Sequence, residues 1–249
     1  MRSHEPAQKV LLEIRSLSKH FGGLQAIADV NLDLPSGVIT TLVGPNGAGK
    51  TTIFNLVTGH LSASSGTIHW LGESLAGQAP WRIARKGIAR TFQDLRLFSH
   101  MTVEENVQTV MERSSWLWQR KTPEMAAKLE QVLQETGLIH KRDQRAVDLA
   151  YAERKFLSLA RIMASDSFLW LLDEPASGLD PRSFDRFVEL LKTYAQRGVT
   201  ICIIEHNLDI VIRLSDTVAF LDQGRILAQG TSDEILKDPH LAAIYFGDR

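Results

Sequence analysis

The run Gly44-Pro45-Asn46-Gly47-Ala48-Gly49-Lys50-Thr51 constrains this chain more than any other segment, because it satisfies Gly-x-x-x-x-Gly-Lys-Ser/Thr at every fixed position. Each fixed position has a mechanical task. The glycines let the backbone turn sharply and aim its N–H groups at phosphate oxygens. Lys50 reaches the β and γ oxygens, and Thr51 offers a hydroxyl to a magnesium ion. Such a loop must leave a strand and enter a helix whose N-terminus faces the anion. The flanks comply: residues 38–43 read as a buried strand and residues 52–58 as a helix. The set expected to touch nucleotide is therefore Gly44, Pro45, Asn46, Gly47, Ala48, Gly49, Lys50, Thr51 and Thr52. The competing reading is a glycine-rich structural turn.

The chain has 249 residues, 44% of them hydrophobic, enough for a sizeable core and two subdomains. A formal charge of −1 gives no electrostatic footprint for nucleic acid. No apolar run approaches the ~20 residues of a membrane-spanning helix. The first six residues are polar and lack the apolar stretch of a signal peptide. The single cysteine, Cys202, rules out an internal disulfide framework and sits in an apolar run as an inert strand residue. A soluble intracellular protein is expected, with any membrane role supplied through a partner.

Along the chain, residues before about Lys9 read as a loose tail. Strand-like segments follow at 10–21 and 27–34, ending at the turn Pro35-Ser36-Gly37. Residues 66–72 read as a short strand, 80–86 as a short basic helix and 88–92 as a strand. Between about 102 and 164 the character turns helical, with helices expected at 103–107, 124–135 and 153–163. Thr102 and Glu105 form the capping-box pattern for the first of these. Strands and helices then alternate again, at 168–172, 181–195, 199–204, 208–214 and 217–221, which implies a mainly parallel sheet covered by helices.

The apolar run 168–172 delivers two carboxylates, Asp173 and Glu174, at its end. Magnesium takes oxygen ligands and keeps its waters, so Asp173 can hold the ion, and Glu174 can orient or deprotonate an attacking water. Here the chain resembles the ATP-binding cassette family of transporter ATPases, over nearly its whole length. Gln93 matches the family's metal-sensing Q-loop glutamine, Asp180 its D-loop and His206 its switch histidine, which contacts the γ-phosphate. Phe21 stands where an aromatic ring lies against adenine. The resemblance implies ATP and Mg²⁺ as ligands, with Thr51, Gln93 and Asp173 toward the metal and Glu174, His206 and Gln93 as the hydrolytic residues. It also implies an α/β P-loop NTPase fold: a RecA-like core with an N-terminal antiparallel β subdomain and an inserted α-helical subdomain. One cassette would span 10–249, with core 10–94 and 166–249, helical part about 95–165 and tail 1–9.

Within the family the chain is most similar to cassettes of branched-chain amino acid importers and their relatives for urea and short amides. The segments Phe21-Gly22-Gly23-Leu24-Gln25-Ala26, Gly87-Ile88-Ala89-Arg90-Thr91-Phe92-Gln93 and Met101-Thr102-Val103-Glu104-Glu105-Asn106-Val107 carry that likeness. The implied partners are a second nucleotide-binding subunit, identical or related, and transmembrane permease subunits, with no nucleic acid. The implied location is peripheral, on the cytoplasmic face of the inner membrane. Leu95, Leu97 and Phe98 are expected in a groove for the permease, the competing reading for each being a core residue of the helical insert. Two alternatives stay open: a lipopolysaccharide or lipid exporter cassette, and a weakly hydrolysing regulatory subunit.

One segment departs from the family. The signature, normally Leu-Ser-Gly-Gly-Gln or Leu-Ser-Tyr-Gly-Gln, is Leu149-Ala150-Tyr151-Ala152-Glu153 here. Ala150 lacks the hydroxyl that would touch a γ-phosphate, and Ala152 adds a methyl group where the backbone approaches nucleotide. In the family this segment faces the partner's phosphate loop, so Ala150, Tyr151, Ala152 and Glu153 are expected at the partner's nucleotide.

Overall fold

The computed structural model describes residues 9–111 and 122–246, so the expected tail lies, apart from Lys9, outside the described residues. Strands β1 (Val10–Phe21) and β2 (Leu24–Pro35) form a long antiparallel hairpin; buried positions largely alternate along the second half of β2, whereas in β1 they fall partly in adjacent pairs, with register shifts along the pairing. Strand β3 (Ile39–Val43) leads into helix α1 (Lys50–Val57), and β4 (Ser65–Trp70) and β5 (Glu73–Ser74) then return to the first hairpin. The resulting antiparallel sheet has the order β2-β1-β4-β5.

Helix α2 (Pro80–Arg85) and strand β6 (Ile88–Arg90) precede three helices, α3 (Val103–Met111), α4 (Pro123–Glu135) and α5 (Tyr151–Ala164). The expected capping box forms at α3: Glu105 N–H donates to Thr102 Oγ1 at 3.1 Å, and Thr102 N–H donates to Glu105 Oε2 at 2.8 Å. Thr122 caps α4 by accepting from Met125 N–H at 3.2 Å, just ahead of Pro123, whose missing N–H costs nothing in a first turn. The chain continues through β7 (Leu169–Asp173), α6 (Pro181–Gln196), β8 (Thr200–Ile204), α7 (Leu208–Leu214) and β9 (Thr217–Asp222).

The second sheet has the order β10-β9-β3-β8-β7-β6, where β10 is Arg225–Gly230. All its pairings are parallel except β9 with β10. Every residue of β3, β7 and β8 is buried, because helices and the antiparallel sheet cover both faces. One core lies between the two sheets and α1; a second lies on the opposite face, beneath α3, α4, α5 and α6. Each fully buried large apolar side chain there contributes roughly 1.5–3 kcal/mol.

The linear pattern assigns no element to the C-terminal part after β9. It contains the β9–β10 hairpin, α8 (Ser232–Lys237) and α9 (Pro239–Phe246). Gln223 and Gly224 both take positive φ (43° and 76°), as a tight hairpin turn requires. The edge strand β10 has no fully buried position, so its apolar pattern is weak.

Candidate nucleotide site

Four neighbouring parallel strands bring the expected residues to one edge of the sheet. The carboxyl end of β3 carries the phosphate loop, β8 carries His206, β7 carries Asp173 and Glu174, and β6 leads to Gln93. Ligands of open α/β sheets bind at this edge, outside the strands' carboxyl ends.

The loop is held tightly from below. Gly44 takes φ 145°, and a Cβ there would lie 1.9 Å from Leu221 O, so no other residue fits without moving β9. Lys50 is buried and its Nζ donates to Gly44 O at 2.7 Å and Pro45 O at 2.9 Å, arching the loop over the ammonium. Burial lowers the Lys50 pKa, while Glu174 and Asp173 oppose that shift. The first turn of α1 has no capping side chain and no acid, so its N–H groups face an anion unopposed. That arrangement fits a polyphosphate.

Asp173 lies beneath the loop. Its Oδ2 is 3.4 Å from Thr51 Oγ1 and 3.4 Å from Arg90 Nη2, and its N–H donates to Thr91 Oγ1 at 3.0 Å. Burial raises the Asp173 pKa, chiefly offset by the Arg90 charge. The Thr51 hydroxyl and the Asp173 carboxylate are hard oxygen donors, the chemistry magnesium takes. Among the described residues no group of three or more His, Cys, Asp or Glu side chains could hold a metal, so Thr51 and Asp173 are the oxygen donors on offer to such an ion here.

Glu174 stands at the centre. Its backbone is left-handed at φ 46°, and its N–H donates to Ile204 O at 3.0 Å. Its Oε2 accepts from Gln93 Nε2 at 3.3 Å, and its Oε1 lies 3.6 Å from His206 Nδ1. Two of the residues named from sequence, Gln93 and His206, therefore converge on the carboxylate of a third, Glu174. The stretch after Gln93 is pinned by buried Asn106, which accepts from Phe98 N–H at 2.9 Å and donates to Phe98 O at 3.0 Å.

The other expected residues lie outside this cluster. Phe21 is exposed at the tip of the first hairpin, and Lys19 Nζ lies over one face of its ring, 5.0 Å from the centroid. Asp180 is the N-cap of α6: its Oδ1 accepts from Arg182 and Ser183 N–H, both at 3.1 Å. Leu97 packs inward against the helical core, leaving Leu95 on a cavity wall and Phe98 exposed beneath the Arg161 guanidinium.

Ala150 is the N-cap of α5 and has no side-chain acceptor, so only half of a capping box exists: Ala150 N–H donates to Glu153 Oε2 at 2.9 Å. Lys141 Nζ sits 2.6 Å from Glu153 Oε1. Tyr151 is half exposed and rests on Gly178, where an added Cβ would lie 2.8 Å from the ring.

Sequence reasoning missed three residues. Arg90, only 5% exposed at its side chain, pairs with Asp173 and also donates to Asn55 Oδ1 at 2.7 Å. Lys155 reaches from α5 to Glu174 O at 2.8 Å. Glu205, at the end of fully buried β8, accepts from Ala176 N–H at 3.3 Å. Its carboxyl, pushed up to about 6 by burial, is favoured as the anion by the Ala176 N–H and by His206. A charged residue directly after the apolar run Ile201-Cys202-Ile203-Ile204 was the available signal for Glu205.

A parallel sheet with a phosphate loop, an Asp-Glu pair and a histidine on consecutive strand ends, plus an inserted helical layer, defines the nucleotide-binding cassette of transport ATPases. The chain belongs to the ABC transporter family, which matches residues 27–177. It is 36% identical to the high-affinity branched-chain amino acid transport ATP-binding protein BraF of Pseudomonas aeruginosa, over 96% of this chain and 98% of that protein. It is likewise 36% identical to LivG of Escherichia coli K12, a protein of the same description, over the same shares. Among solved structures it superposes on the ADP conformation of MJ1267, an ATP-binding cassette of an ABC transporter, with TM-score 0.86 and 29% identity, covering 96% of this chain and 100% of that one. CbiO1 of Clostridium perfringens, part of the CbiONQ transporter complex, gives TM-score 0.82 at 27% identity, covering 93% and 92%.

Proposed function

We propose that this chain is the ATP-binding and ATP-hydrolysing subunit of a bacterial importer for branched-chain amino acids or closely related solutes. The carrying observation is the convergence of Gln93, Glu174 and His206 beside the phosphate loop. The 36% identity to BraF and LivG over almost the full length supports the importer reading and its solute class.

In this reading the α1 N-terminus and Lys50 bind the phosphates, and Phe21 takes the adenine. Glu174 accepts the proton of the attacking water while the Gln93 amide orients its carboxylate. His206 donates toward the γ-phosphate as negative charge builds there. A magnesium ion at Thr51 and Asp173, with Gln93 beside it, would neutralise charge on the β and γ oxygens. We assign core 10–94 and 166–249 and helical subdomain 95–165.

Among the described residues no helix is long and apolar enough to cross a membrane; in this reading separate permease subunits carry the solute. A cavity of about 780 Å³ between β6, α3 and α5 supports docking there; Leu95, Phe92, Arg96 and Arg161 help to line it. A permease seated in it would touch the segment carrying Gln93. The chain would then lie at the cytoplasmic face of the inner membrane.

A second cassette completes each site by presenting its signature. Here the missing hydroxyl at Ala150 supports a weakened site at the partner's nucleotide, and so an asymmetric pair if the partner's own signature is intact. The test is reconstitution of this chain with its co-purifying cassette and permease proteins. ATP-dependent uptake of labelled leucine or isoleucine is expected, abolished by Lys50→Ala. Uptake indifferent to Lys50 would overturn the reading.

A further inference from the structure

Glu205 is fully buried, at 0% exposure, and among the described residues its Oε2 has no hydrogen-bond partner. Keeping such a carboxyl in a core is costly, and an apolar residue of the same size would be cheaper. Its placement supplies a reason. Glu205 N–H donates to Leu42 O on β3 at 3.4 Å, while its Oε1 accepts from Ala176 N–H at 3.3 Å. Ala176 is buried two residues beyond Glu174, on the loop from β7 to α6. His206 is the next residue after Glu205, and its imidazole lies 3.6 Å from Glu174. One side chain thus ties the backbone following the water-activating carboxylate to the residue bearing the histidine.

The left-handed Glu174 backbone at φ 46° persists only where its surroundings hold it. Lys155 anchors the loop at Glu174 O, and Asp180 holds its far end by capping α6. Between them the Ala176 N–H depends on Glu205.

We propose that Glu205 is a positioning residue of the hydrolytic site, clamping Ala176 so that Glu174 and His206 keep a fixed separation. The proposal rests on the ATPase reading above, and two readouts keep them apart. The first is kcat and KM for ATP in the reconstituted transporter; the second is amide exchange at Ala176 in the nucleotide-free chain. Glu205→Leu fills the volume but accepts nothing, so kcat should fall by ~10-fold or more with KM changed less than ~2-fold. The Ala176 amide should exchange about 10-fold faster. Glu205→Gln retains an acceptor and should restore both readouts to within ~3-fold of the parent. If Glu205→Leu fails to fold, Glu205→Asp, one methylene short of Ala176, makes the same comparison with Gln. Equal impairment of the Gln and Leu variants, or unchanged Ala176 exchange in Leu, overturns the proposal. A parent transporter without ATPase activity would defeat the functional reading, while Ala176 exchange would still judge the clamp.

Discussion

Arg90→Met should cost this fold about 3 kcal/mol, and the cost should shrink when Asp173 is neutralised as well. The pair is buried on both sides, with side-chain exposures of 5% and 6% and a single N–O contact of 3.4 Å. Removing one partner of a buried pair typically costs ~3–5 kcal/mol, because the other charge is left in a low dielectric without compensation. The long single contact places this pair at the lower end of that range. Arg90 also loses its bond to Asn55 and its stacking over the Phe92 ring, 4.7 Å from the centroid. At a desolvated site that stacking contributes roughly 2 kcal/mol, part of which the methionine side chain recovers.

The assay is urea unfolding of the nucleotide-free, magnesium-free chain, so that no ligand masks the change. Arg90→Met, Asp173→Asn and the double variant complete a cycle with the parent. For a chain of this size ~3 kcal/mol corresponds to a Tm drop of about 6–12 °C. The double variant should be more stable than the sum of the singles predicts by ~1–3 kcal/mol, with equal m-values throughout. A loss below ~1 kcal/mol for Arg90→Met, or strict additivity, would refute the argument that Arg90 compensates Asp173.

Three further outcomes are expected. Glu174→Gln should keep ATP affinity and lower turnover by ~10²–10⁴-fold, read by nucleotide titration beside phosphate release; lost binding with preserved turnover per bound nucleotide would remove Glu174 from its role. Ala150→Ser with Ala152→Gly should raise turnover of the assembled pair by ~10–10²-fold, and the serine should also cap α5; an unchanged rate would end the asymmetry proposal. Burial of Glu205 raises its carboxyl to about 6, so its stability contribution is fully present below the unfolded value and is lost as pH rises through about 6. Glu205→Gln should therefore gain ~2 kcal/mol relative to the parent between pH 4.5 and pH 7 in parallel denaturation series, and a pH-independent difference would contradict this.

Local chemistry made much of this protein legible in the linear chain. Lys50, Thr51 and the glycines around them form one short segment, and its strand and helix are its immediate neighbours. Asp173 and Glu174 announce themselves as charges ending an apolar strand, and Thr102 and Glu105 close their capping box within a single helical turn. Such interactions join residues a few positions apart, so spacing alone reveals them. Leu97 shows the limit: an apolar residue in a loop reads equally as core or as docking surface, and here it packs inward.

The contacts that tune the site join residues far apart in the chain. Arg90 meets Asp173 across 83 positions, and Glu205 meets Ala176 across 29. Their partners are set by the strand order β3-β8-β7-β6, which brings the four strand ends side by side. For Arg90 the charge type offered no guide, since an arginine is ordinarily a surface residue. Only the assembled layers remove water from these groups, and desolvation is what turns Arg90, Asp173 and Glu205 from solvated charges into groups whose every partner matters.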